Sequence, residues 1–249
     1  MWTVFRWIRR GAGLVILLLA GPALATVSGL ADLRADWRTA SRAPVGIAPD
    51  PAAVREPVVQ VYGARTFGWR GAFAVHTWIS VKRQDAAHFT TYEVIGWRIG
   101  PGRSALAVRN NEPDRRWYGA EPKILLDLRG AEVAPMIDKI EAAVESYPYP
   151  NTYNAWPGPN SNTFTAWIGR HVPELRLDLP PTAVGKDFLG TDQFAARAPS
   201  GSGFQVSVLG ILGVLASLEE GLEFNVLGLS FGIDPLDVAL RVPGLGRVP

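Results

Sequence analysis

From Gly11 to Ala31 the chain carries no ionisable side chain, and Arg6, Arg9 and Arg10 stand directly before that stretch. An apolar run of roughly 20 residues is long enough to cross a bilayer. Basic residues ahead of it hold the N-terminus in the cytoplasm and send the rest of the chain outward. Two readings share this feature. Residues 1–25 form a secretory signal peptide, with Ala23-Leu24-Ala25 as the small-x-small cleavage signal, or they form an uncleaved N-terminal membrane anchor, which Gly21 and Pro22 weaken without forbidding. Either one predicts a cell-envelope protein, periplasmic or on the extracytoplasmic face of the inner membrane.

The same segment explains the charge. The whole chain has formal net charge +2, but without residues 1–25 it keeps 22 basic and 23 acidic side chains, a net −1. The basic surplus therefore belongs to the leader, and a nucleic-acid partner is not expected. With no cysteine, disulfides, thiolate nucleophiles, cysteine zinc sites and iron–sulfur clusters are excluded.

Residues 26–57 include the Pro- and Ala-rich RTASRAPVGIAPDPAAVREP and read as a linker. An α+β core domain is predicted over 58–200. Its strands are expected at Val58–Tyr62, Phe73–Val81, Tyr92–Ile99, Ala105–Val108 and Ile124–Leu128. Val133, Ile137, Ile140 and Val144 form one apolar stripe of a helix over Ala131–Ser146, and a second helix is predicted over Ser161–Arg170. Strands first, with helices between and after them, give a small antiparallel sheet with helices packed on it. Residues 201–249 read as a C-terminal extension, an apolar β-hairpin turning at Glu219-Glu220, with a buried helical hairpin as the alternative; its expected role is a flap over the core, in preference to membrane docking.

Only three histidines occur, His76, His88 and His171, and none has metal-ligand spacing, so no metal or cofactor is expected. His76 lies on an apolar strand, where its ring faces either a core or a cleft. His171 sits at a helix end, where positive charge is favoured. Asn160 is a good N-cap, which places Ser161 at a helix N-terminus whose free N–H groups stabilise a nucleophile or an oxyanion; plain capping explains the same residues. If Ser161 is the nucleophile, His76 takes its proton and Glu93 orients the ring, with Asp85 or Asp127 as other choices.

Asn160-Ser161-Asn162-Thr163-Phe164 resembles the nucleophile motif of circularly permuted papain-like hydrolases related to the NlpC/P60 group, with Ser in place of Cys. His76-Thr77-Trp78 resembles their histidine strand. The resemblance implies a papain-like core, catalytic Ser161 and His76, and hydrolysis of amide or ester bonds; a binding or structural protein with a degenerate cleft is the alternative. A denser resemblance runs through FGWRGAFAVHTWISVKR, RNNEPDRRWYGAEPKILLDLRG and YPYPNTYNAWPGPNSNTFTAWI to the tail LEEGLEFNVLGLSFGIDPL. These phrases look like the uncharacterised bacterial family numbered 3750 among domains of unknown function, which implies an envelope protein and supplies no activity.

Asn160, Asn162, Arg115, Arg116 and Trp117 are the expected substrate-binding residues, since Arg offers a planar donor fork and Trp a stacking face. Self-pairing of Glu112 and Asp114 with Arg115 and Arg116 is the simpler account of that loop, and core packing that of the tryptophans. The ligand classes these residues and the compartment suggest are a cell-wall peptide, a glycan or an acyl group, with the membrane itself a partner if the leader stays.

Overall fold

The computed structural model describes residues 2–249. Val58-Val59-Gln60-Val61-Tyr62 is β-branched and aromatic, which suits an enclosed pleated surface, and it opens β1 (Val58–Arg65). β1 lies between β2 (Val75–Lys82) and β5 (Lys123–Arg129), and the sheet continues past β2 through β3 (Thr90–Val94) to β4 (Leu106–Asn110). All four pairings are antiparallel.

Period-two alternation splits the sheet into two apolar layers. Val59, Val61, Ile79 and Val81 face α2 (Ala134–Glu145) and α3 (Ser161–His171), and bury Ile137, Ile140 and Phe164 between sheet and helices. Tyr62, Trp78 and Trp117 pack together in a second cluster. The α2 stripe is buried as its spacing predicts, at Val133, Ile137, Ile140 and Val144. β3 stops five residues short of the expected Ile99, and Gly96–Arg98 form a 3-10 turn. Glycine at 96 lets the Tyr153 ring pack against this turn, since a Cβ there would lie 2.4 Å from the ring.

The linker segment is bound along its path. Ile47 and Ala48 N–H groups donate to Asp114 Oδ2 at 2.7 and 3.2 Å, and Arg116 N–H donates to the Ala43 carbonyl. The leader forms α1 (Trp2–Val27).

The C-terminal region is larger than the single hairpin expected. β6 (Ala195–Arg197), β7 (Gly203–Val208), β8 (Leu212–Ser217), β9 (Gly221–Val226), β10 (Leu229–Asp234), β11 (Ala239–Val242) and β12 (Gly246–Val248) form one antiparallel meander in chain order. Glu219-Glu220 do turn the chain, between β8 and β9. Each apolar half, however, is itself a hairpin, because the repeated Val-Leu-Gly is turn-forming: Leu227 and Gly228 both hold positive φ, 55° and 78°, between β9 and β10. Such a two-residue turn matches the twist of the strands it joins.

Candidate functional site

Asn160 caps α3, its side chain accepting from Asn162 N–H at 2.9 Å and Thr163 N–H at 3.1 Å, while Thr163 Oγ1 accepts from Asn160 N–H. Ser161 is thereby fixed on the first turn. That turn is fastened to β2 on both sides of His76. Asn162 Nδ2 donates to the Val75 carbonyl at 2.9 Å, and Thr77 Oγ1 donates to Asn162 Oδ1 at 2.9 Å.

His76 is buried, and its ring stacks on Trp117 with centroids 3.5 Å apart and planes 8° from parallel. Its Nε2 lies 3.2 Å from Glu93 Oε2. Glu93 is fully enclosed, not solvated, and its second oxygen accepts from Arg109 at 3.3 Å and from Arg115. Burial pushes the Glu93 carboxyl up, but the His76 hydrogen bond and the charges of Arg115 and Arg109 outweigh it and hold the group down at about 2. Burial lowers the imidazole below its usual 6.5, against the raising effect of Glu93. A neutral ring beside an ionised carboxylate has one favourable tautomer, in which Nε2–H donates to Glu93. Nδ1 then carries the lone pair, and it has no hydrogen-bond partner among the described residues.

His76 and Ser161 line one cavity of about 440 Å³, together with Trp37, Arg70, Trp97 and Tyr153. Among the described residues no hydrogen bond involves Ser161 Oγ, which is not among the sealed polar atoms without partners. Asn160, Asn162 and Trp117 also line the cavity. The two asparagine side chains are engaged within the protein, both donating to the Val184 carbonyl.

Arg115 serves Glu93 and stacks near Trp78 and Trp117, while Arg116 pairs with Glu121 at 2.7 Å. The self-paired loop is thus corrected: Glu93 and Glu121, which lie outside the Glu112–Arg116 run, take the arginines, and Asp114 caps the linker. Core packing holds for Trp78 and Trp117 but not for Trp69, Trp97 and Trp156, which are more than half exposed. Asp85 pairs with Arg55 at the surface and Asp127 with Arg129, so neither orients His76. His171 Nδ1 lies 2.8 Å from the Trp167 carbonyl, and His88 is exposed.

Residues 56–188 match the family described as Protein of unknown function (DUF3750). The chain belongs to this family. The DUF3750 segment holds His76, Glu93, Arg109, Arg115 and Ser161, and leaves out α1 and the seven-stranded sheet. No curated protein and no solved structure matches the chain.

Sequence reasoning missed Arg109, Trp37, Arg70 and Tyr153. Arg109 reaches Glu93 diagonally across the β3–β4 pair, where Glu93 faces Ala107, and register is not written in local sequence. Trp37 comes from the segment read as a linker.

Proposed function

We propose that this protein is an envelope hydrolase of amide or ester bonds, with Ser161 as nucleophile, His76 as general base and Glu93 as the group that orients and polarises the base. The observation that carries the reading is the shared cavity. A serine at a capped helix N-terminus and a carboxylate-oriented histidine line the same space. His76 Nδ1 would take the hydroxyl proton as Oγ attacks the carbonyl carbon, and the Ser161 N–H, the first-turn donor that the Asn160 cap does not take, would receive the developing oxyanion. The protonated His76 would then deliver that proton to the leaving amine or alcohol, and water would release the acyl group by the same steps. Arg115 and Arg109 keep Glu93 charged throughout. Apolar cavity walls suit a substrate with an acyl or aromatic portion, and the basic start and uncharged run of α1 support the envelope location.

A second reading, a cleft that binds without turnover, is favoured by strand alternation. Thr77 points to α3, so His76 leaves β2 from the opposite face and meets the cavity around the strand end. The test is labelling of the full-length protein in detergent with a fluorophosphonate probe. Labelling of the wild type that is lost in both Ser161→Ala and His76→Ala is the expected result. Labelling that persists in Ser161→Ala removes this nucleophile, and an unlabelled wild type that still binds an acyl ligand favours the binding protein.

A further inference from the structure

The C-terminal sheet is folded with its polar face inward. Glu223, Asn225, Ser230, Asp234 and Arg241 are buried, and they surround Lys186 and Asp187. Lys186 Nζ lies 3.0 Å from Asp187 and 2.5 Å from Glu223, Arg241 reaches Glu223 at 2.8 Å and Asp178 at 2.7 Å, and Asn225 donates to Asp187 at 2.7 Å. These bonds leave only one orientation of the sheet.

The other face is apolar from strand to strand. Val206 stands opposite Val214, Val214 opposite Phe224, and Phe224 opposite Phe231. The next row runs through Phe204, Ala216, Leu222, Ile233 and Leu240. No charged side chain lies on this face from β7 to β11. Phe204 is 72% exposed, Val214 45% and Phe224 40%. A contiguous apolar surface of this kind marks a contact with a partner or a membrane.

α1 identifies which. Its last turns dock on the end of this face: a Cβ on Gly21 would lie 3.1 Å from the Val242 side chain, on the outer side of β11, and 1.9 Å from the Pro243 carbonyl oxygen. Gly244 is equally confined, since a Cβ on it would lie 2.4 Å from Pro22 N. The helix also carries Phe5–Val27, long and apolar enough to cross a membrane, with Val15, Ile16 and Leu17 exposed. Helix and sheet therefore present one continuous apolar surface, and whatever solvates the helix meets the sheet. Inter-strand bonds satisfy the sheet backbone, so lipid contact with its face strands no peptide group.

We propose that the outer face of β7–β11 lies on the lipid bilayer that holds α1, making the C-terminal sheet a membrane-docking platform. The proposal does not depend on catalysis. The absence of cysteine permits a clean test, with single-cysteine variants Phe204→Cys, Val214→Cys and Phe224→Cys of the full chain, each carrying a nitrobenzoxadiazole label. Asp138→Cys, on exposed α2, is the control. After reconstitution into phosphatidylethanolamine and phosphatidylglycerol vesicles, emission from the three sheet positions is expected to shift to the blue and to be quenched by doxyl-labelled lipid, with no change at position 138. Sheet labels that stay water-exposed and unquenched would overturn the proposal. So would pyrene excimer emission from labelled Val214→Cys without lipid quenching, which would assign the face to a second copy of the chain. Three independent positions, with Phe204 the most exposed, keep the test decisive if one variant misfolds.

Discussion

At the residue scale the chemistry turns on which nitrogen of His76 carries the proton. An ionised Glu93 takes Nε2–H and leaves Nδ1 as the base. In Glu93→Gln the amide oxygen would accept from Arg115 and Arg109, turning the amide N–H groups toward Nε2 and forcing the proton onto Nδ1. We expect the rate of fluorophosphonate labelling to fall by about 10²- to 10⁴-fold, the span associated with a positioned general base, with the fold unchanged by circular dichroism. The wild-type rate should be flat above pH 6.5 and decline below it, because burial lowers the His76 pKa from 6.5. Stability follows the same sign. Both groups titrate lower in the folded state, so the stabilisation they provide is present above pH 6.5 and 4.5 and is lost as pH falls through the His76 window and then toward 2. His76 and Ser161 were legible as candidates because a strand histidine and a capped serine each carry a local signal. Glu93 was legible as a carboxylate on the paired strand, but its complete burial was not, since the arginines that balance it come from β4 and the following loop.

At the element scale the site depends on how α3 is fastened to β2. The Asn160 cap is a local motif, and the sequence alone places the helix start at Ser161, where the structure has it. The attachment is tertiary. Asn162 spans the gap with hydrogen bonds to Thr77, Val75 and Val184. Asn162→Ala would take the side-chain donor from the Val75 carbonyl and leave the Val184 carbonyl with Asn160 alone, and a loss of about 1–3 kcal/mol is expected, read as a lower midpoint in chemical denaturation. Labelling at Ser161 should weaken in parallel, since the nucleophile loses its anchor to the His76 strand. The end of β3 was misread for a related reason: Ile95 to Ile99 continue an apolar pattern, and the turn at Gly96–Arg98, against which Tyr153 packs, shows only in the tertiary structure.

On the scale of the whole molecule, the family domain and the C-terminal sheet are joined by buried charge. Lys186, itself buried, neutralises Asp187 and Glu223, and those carboxylates raise its pKa against the lowering effect of burial. Lys186→Met would leave buried Asp187 without its ion-pair partner and Glu223 with Arg241 alone, and a loss of about 3–5 kcal/mol is expected. Thermal unfolding of the full chain in detergent measures it, and the double variant Lys186→Met with Glu223→Gln should recover part of the loss. The sequence by itself determined the basic start and uncharged run of the leader, most strands of the first sheet, the α2 stripe, the α3 cap and the turn at Glu219-Glu220, because each is written in neighbouring residues. It also marked the tail as apolar strand, and side chains on a strand alternate between its two faces. Only the tertiary structure decided which face of that tail points inward, because alternation is the same read from either side. The choice is made by Lys186, Asp187 and Asp178, far from the strands in sequence, which need partners in the interior and draw the polar face to them.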